Sequence, residues 1–97
     1  MNQTINEILE ERGSRYGSFD GHAALTQALK SAFVIHSKSM YKMTPSQREA
    51  IDMILHKIGR IGNGDPSYAD SWVDIVGYAQ LVVGELTPKE QQAQKEQ

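Results

Sequence analysis

The sequence contains no cysteine among its 97 residues. Disulfide frameworks, zinc sites with thiolate ligands and cysteine nucleophiles are therefore excluded. No apolar run approaches the roughly 18 residues that a membrane-spanning helix needs. The first residues also lack the basic-then-apolar pattern of a secretion signal. These absences predict a protein of the cytoplasm that is not embedded in a membrane.

The sequence also has no large excess of charge of one sign. Its net charge is −2, and both signs are spread along the chain. No basic stripe suited to duplex DNA is present. The length allows one small domain. A chain this short buries a modest share of its surface, so contacts with a partner subunit are expected to stabilise it.

Four segments with apolar residues at helical spacing predict an all-α domain of four helices, and no segment alternates like a β-strand. Capping boxes at Thr4–Glu7 and Thr44–Gln47 mark two helix starts. Gly13 is expected to end the first helix. The expected helices cover residues 5–13, 21–38, 45–61 and 67–86. The domain then spans residues 1–86, and the polar residues 87–97 form a frayed tail.

The fourth helix is expected to be covered on two sides. Its main apolar face predicts that Trp72 belongs to the core. The reverse face carries Gly77 and Gly84, seven residues apart, together with Tyr78 and Leu81, which is typical of a surface against which another helix packs. We therefore expect a homo-oligomer that is held together by helices.

Four carboxylates on the third and fourth helices are candidate metal ligands. Glu49 and Asp52 are three residues apart, and Asp70 and Asp74 are four apart, so each pair shares a helix face. If the two helices pack antiparallel, the four groups can converge on Mg²⁺. The alternative is that these acids are solvated or complement the dipoles of their helices.

Cations and aromatic side chains suggest a site for a phosphorylated ligand. A guanidinium and an ammonium group at helical spacing suit phosphate oxygens, and aromatic rings beside glycines can stack on a base. The alternative is that these side chains make structural contacts within the fold and bind no ligand. The candidate ligand-binding residues are Tyr16, Phe19, Lys30, His56, Lys57, Arg60 and Tyr78. His22, at the start of the second helix, is a further place where a phosphate could sit.

The same segments resemble a family of short phage and prophage proteins. The resemblance covers about residues 8–84. It is carried by residues 11–19, 47–54, 56–61, 63–66 and 70–78. That family has no assigned function, so the resemblance implies a phage origin and a location in the cytoplasm of the host cell.

A looser resemblance is to the all-α nucleotide pyrophosphohydrolases of the MazG-like and dimeric dUTPase kind. Those proteins place two pairs of acids around Mg²⁺ and work as oligomers. The resemblance implies that Glu49 and Asp52 correspond to the first pair and Asp74 to the end of the second. Ser71 stands where the second pair would have a glutamate, and this departure argues against catalysis.

Three hypotheses follow from the sequence. The favoured one is a protein that captures a phosphorylated nucleotide without cleaving it, for instance a nucleotide signal of host immunity. The second is a Mg²⁺-dependent nucleoside triphosphate pyrophosphohydrolase. The third is an inhibitor that binds a host protein through the fourth helix.

Overall fold

Residues 4–88 are described by a computed structural model, and every regular element among them is helical. The all-α prediction is therefore confirmed. A short 3₁₀ turn, Met40–Lys42, interrupts the connection between the second and third helices. The four helices are α1 (Ile5–Tyr16), α2 (Phe19–His36), α3 (Pro45–Asn63) and α4 (Ala69–Leu86). The predicted tail lies outside the described residues from residue 89 onward.

Both predicted capping boxes are formed. The Thr4 hydroxyl accepts from the Glu7 amide at 3.1 Å, and the Glu7 carboxylate accepts in return from the Thr4 amide at 3.4 Å. At the start of α3, Thr44 and Gln47 exchange the same two bonds at 3.1 and 3.0 Å. Each box satisfies two amides that have no partner inside the helix. These local signals explain why the two helix starts could be predicted.

The junction between α1 and α2 differs from the prediction. Helix α1 continues through Gly13, which is surrounded by open space, and ends at Gly17. Gly17 has φ 77°, in the left-handed region that favours glycine. The cap of α2 is Ser18 rather than Asp20, because the Ser18 hydroxyl accepts from the Gly21 amide at 3.2 Å. The loop between the helices is consequently much shorter than expected.

Helix α3 lies in the middle, with α2 packed on one side and α4 on the other, and α1 contacts α2 and α3. The contact with α2 is close because Gly59 presents no side chain to Thr26 and His22. On the other side, the Lys57 ammonium of α3 lies 2.9 Å from the Asp74 carboxylate of α4. These two contacts fix the rotation of α3 about its axis.

The core is thin, and the prediction that Trp72 belongs to it is wrong. Trp72 is 52% exposed, although its indole N–H donates to the Pro66 carbonyl at 2.8 Å. Helix α4 packs on α3 through the face that contains the buried Ser71, so its apolar stripe lies to the side of that contact. Ala50 is the one buried hydrophobic residue between positions 4 and 88. No helix in this range is long and apolar enough to cross a bilayer.

Candidate functional site

A pocket of about 420 Å³ opens between α1, the start of α2 and α3. We call it the Tyr16 pocket. Four of the predicted ligand-binding residues line it, namely Tyr16, Phe19, His56 and Arg60. Arg12 and His22 line it as well, and no carboxylate of residues 4–88 does. The pocket therefore combines two guanidinium groups, two aromatic rings and two imidazoles.

Asn63, at the end of α3, holds the wall of this pocket in place. Its side-chain amide donates to the carbonyl of Tyr16 and to the carbonyl of Ser18, each at 2.8 Å. A Cβ on Gly17 or Gly21 would overlap Asn63, so glycine is required at both positions for this approach. The two glycines thus allow the end of α3 to reach the turn between α1 and α2.

Two arginines stack on two tyrosines beside the pocket. The Arg60 guanidinium lies 4.1 Å from the ring centre of Tyr16, and that of Arg15 lies 4.5 Å from the ring centre of Tyr68. The two tyrosine rings meet edge to face at 6.0 Å. A guanidinium that stacks on a ring keeps its N–H groups at its edge, where they remain able to donate. Arg60 can therefore bind an anion while it stays on Tyr16.

The two imidazoles of the pocket contact each other. The rings of His22 and His56 lie 4.6 Å apart and nearly perpendicular. Thr26 Oγ1 lies 3.4 Å from both ring nitrogens of His22. Burial, with the charge of Arg60 as the next cause, lowers the pKa of His56 to about 4, and burial also lowers the pKa of His22. At neutral pH both rings are uncharged, and each can donate one hydrogen bond and accept another.

Lys30 lies near these histidines without lining the pocket. Its positive charge is one of the causes that lower the pKa of His22 and of His56. Together with Arg60 it places positive charge beside the two histidines. An anion entering the pocket would meet that positive charge.

The two remaining predicted ligand residues lie elsewhere. Lys57 is buried against α4, where it pairs with Asp74 as described above. Tyr78 lines a groove between α3 and α4, with Glu49 at the same groove. Neither side chain lines the Tyr16 pocket.

The four candidate metal ligands are not gathered together. Asp74 pairs with Lys57, and Asp70 accepts from the Tyr68 hydroxyl at 2.8 Å. Glu49 is exposed, and Asp52 is half-buried. Within the described chain, no group of three or more His, Asp or Glu side chains is arranged to hold a metal ion.

Arg12 and Asn63 are site residues that sequence reasoning missed. Arg12 precedes Tyr16 by four residues, and this spacing would place both on one face of α1 had the helix been predicted to extend beyond Gly13. Asn63 lies in a Gly-Asn-Gly segment, which is also the pattern of an ordinary turn. Its role depends on a contact with a distant turn, which no local pattern shows.

Comparison with known proteins identifies a family and no relative of known function. A family model described as a domain of unknown function, DUF6378, matches residues 1–86. No curated protein and no solved structure matches the chain.

Proposed function

We propose that this chain, which belongs to the DUF6378 family, binds a phosphorylated nucleotide and does not cleave it. The observation that carries the proposal is the composition of the Tyr16 pocket. Arg12 and Arg60 line it together with Tyr16 and Phe19, and its lining includes no carboxylate from the part of the chain that the structure describes. Cations beside aromatic rings suit a ligand with a phosphate at one end and a base at the other.

The phosphate end has two guanidinium groups and a helix start to bind it. Stacking on Tyr16 limits the motion of Arg60, so less side-chain freedom is lost when it binds an oxyanion. The pocket also includes Ser18 and Phe19 at the start of α2. The N-terminus of a helix favours negative charge, part of which the Asp20 carboxylate already supplies by accepting from the Gly21 amide at 3.0 Å. Lys57 is not one of these groups, because its ion pair stabilises the contact between α3 and α4.

The base end has an exposed ring and two neutral imidazoles. Phe19 is 84% exposed, and an apolar ring of that size in water gains contacts when a base stacks on it. His22 is 7% exposed and already has Thr26 and the main chain of Gly59 as hydrogen-bond partners. His56 is therefore the imidazole that can hydrogen-bond to the edge of a base, because it carries one donor and one acceptor. Lys30 contributes long-range attraction for the phosphates.

The ligand class includes nucleotide signals of bacterial immunity. A phage-encoded protein with this pocket would lower the free concentration of such a signal by binding it. Capture without cleavage requires no metal ion, and the proposal assigns no metal-binding role to Glu49, Asp52, Asp70 or Asp74.

The first test is thermal unfolding with a panel of nucleoside mono-, di- and triphosphates and cyclic dinucleotides, each with Mg²⁺ and with EDTA. A ligand at 100 times its Kd adds about 2.7 kcal/mol to the free energy of unfolding. We expect a rise in Tm that persists in EDTA, and we expect chromatography to recover the nucleotide intact. Release of pyrophosphate in Mg²⁺ would contradict the proposal, as would an unchanged Tm with every ligand.

Variants with exposed aromatic residues locate the binding. Phe19→Ala removes a ring from the pocket, and Tyr41→Ala removes a ring of similar exposure, 81%, from the connection before α3. Loss of one stacked base costs about 1–3 kcal/mol, so Phe19→Ala should weaken binding by about 5- to 150-fold. Tyr41→Ala should leave the Kd unchanged. Equal effects of the two substitutions would place the ligand elsewhere.

A substitution at Asp74 separates binding from metal-dependent hydrolysis. Under the proposal, Asp74→Asn weakens the Lys57 ion pair and leaves the Kd for nucleotide unchanged. The Asp74 side chain is 47% exposed, but that of Lys57 is 11% exposed. The substitution leaves a buried ammonium group without its anionic partner, so the loss of stability should be about 1–3 kcal/mol. Turnover of a nucleoside triphosphate by the wild-type chain that Asp74→Asn abolishes would establish the hydrolase alternative.

A further inference from the structure

The described chain forms one layer of three helices, α2, α3 and α4, with α3 in the middle. Globular domains normally bury their apolar residues between two layers. Of the described helices, only α1 lies on a face of this layer. It contacts α2 and α3 near the Tyr16 pocket. Among residues 4–88, no element covers the other face of the layer.

The two contacts of α3 show which face is uncovered. Gly59 points at α2 and Lys57 points at α4. At about 100° per residue, three polar side chains of α3 lie on one side between those two directions, which is the side of the Tyr16 pocket. They are Glu49, His56 and Arg60. The isoleucines lie on the opposite side, with Gln47 and Arg48 near the start of the helix. These isoleucines are Ile51, Ile54, Ile58 and Ile61.

The isoleucine side of the layer continues onto both neighbouring helices. On α2, the Leu25 side chain reaches Gly62 of α3. Towards α4, an apolar groove of about 510 Å³ is lined by residues that include Ile51, Ile54, Ala79 and Val82. We call this side of the layer the isoleucine face.

Large side chains on the isoleucine face are open to solvent. Ile58 is 39% exposed, Val83 is 43% exposed and Trp72 is 52% exposed. Between residues 4 and 88, no side chain is fully buried, and Ala50 is the one buried hydrophobic residue. Burial of these apolar side chains would stabilise the fold, but in the single chain they remain exposed to water.

We propose that a second copy of this chain packs on the isoleucine face, so that two three-helix layers enclose one core. Helix α3 has 19 residues, which is about 28 Å at 1.5 Å per residue. Three helices spaced about 9 Å apart cover a similar width, giving a face of about 800 Å². That area equals what each partner contributes to an interface of standard size.

The chemistry of the face favours its own copy over a partner of another kind. Most of the face is apolar, and its charged residues, Lys42 and Arg48, lie at one end, near the start of α3. An antiparallel two-fold arrangement therefore keeps the like charges of the two copies apart. In a two-fold dimer, the same surface patch of each subunit packs against that of the other. A flat apolar layer permits this arrangement. Because the isolated layer buries so little apolar surface, the partner that covers the isoleucine face must be present whenever the chain is folded. A second copy meets that requirement without another gene product.

The absence of cysteine in the sequence makes thiol labelling a direct test. Ile58→Cys places one thiol at the centre of the isoleucine face, and Val83→Cys places one near its border. The matched control is Leu81→Cys, at a side chain that is 68% exposed and lines the groove beside Glu49 on the other side of the layer. In an isolated chain all three positions are accessible to a maleimide.

We expect sedimentation equilibrium at micromolar concentration to give twice the chain mass of 10.8 kDa. We also expect the thiols at positions 58 and 83 to react roughly tenfold or more slowly than the thiol at position 81, because a dimer opens rarely. A monomer that is fully helical by circular dichroism would overturn the proposal. A dimer in which the thiol of Ile58→Cys reacts as fast as that of Leu81→Cys would overturn it too. Nucleotide binding plays no part in either readout.

Discussion

The side-chain amide of Asn63 donates to the main-chain carbonyl of Tyr16 at 2.8 Å, although 47 positions separate the two residues. A second bond from the same amide reaches the Ser18 carbonyl. Nearby, the Asp65 amide donates to the Arg15 carbonyl at 2.8 Å. The end of α3 is thereby joined to the turn that carries Tyr16 and Phe19. These hydrogen bonds determine where the aromatic wall of the pocket lies relative to Arg60.

Asn63→Ala is expected to lower the free energy of unfolding by about 2 kcal/mol, because two hydrogen bonds of about 1 kcal/mol each are lost. It should also weaken nucleotide binding, since Tyr16 would no longer be held beside Arg60. Urea unfolding and calorimetric titration measure the two effects. Asn6→Ala, at an exposed residue of α1, is the control and should change stability by less than about 0.5 kcal/mol. A fully stable Asn63→Ala variant would show that the turn is held by other contacts.

Two glycines in helix interiors should respond oppositely to alanine. A Cβ on Gly59 would overlap the Thr26 hydroxyl, whereas nothing lies within 4 Å of a Cβ on Gly77. Gly59→Ala should therefore destabilise the chain by about 1–3 kcal/mol, because α2 must move away from α3. Gly77→Ala should stabilise it by about 0.5–1 kcal/mol, because alanine favours the helix. Urea midpoints compare the two directly, and a stable Gly59→Ala variant would contradict the close packing of α2 on α3.

Stability should fall as the pH decreases from 6.5 to about 4. The pKa of His56 is lowered from 6.5 to about 4, so in this range the unfolded chain binds a proton at this residue and the folded chain does not. The free energy of unfolding therefore rises with pH across this window. His56→Gln removes that part of the slope, which is measured by comparing urea unfolding of the two proteins at pH 7 and pH 4.5. Equal slopes would show that His56 is accessible to protons in the folded state.

The helices could be predicted from the sequence because their starts are local. Thr4 and Thr44 each meet a partner three residues away, and such a pair needs no tertiary contact to be recognised. The sequence predicts the wrong end for α1 because Gly13 and Gly17 look alike in it. The difference between them is that Gly17 approaches Asn63 closely and Gly13 approaches nothing. That contact is tertiary, so no local pattern could have indicated it.

Part of the candidate site could also be predicted. His56 and Arg60 share a face of α3 because they are four residues apart, and both line the pocket. The helical spacing also places Lys57 beside them, although its side chain points at α4. Only the position of the neighbouring helix reveals this. Periodicity likewise identifies the apolar stripe that contains Trp72 without identifying what covers it. We expect the neighbours of α4, rather than its own pattern, to decide how much of that stripe is buried.

Helix α1 contains no buried residue, and its side chains Ile5 and Leu9 are 76% and 60% exposed. An element with so few apolar contacts opens at a small free-energy cost compared with global unfolding. Its amides should therefore exchange hydrogen early, ahead of those in α3. A nucleotide that touches Arg12 on α1 and Arg60 on α3 would join the two elements and slow that exchange. Part of the binding free energy would then be used to order α1, so that the affinity depends on how rigid this helix is before the ligand arrives.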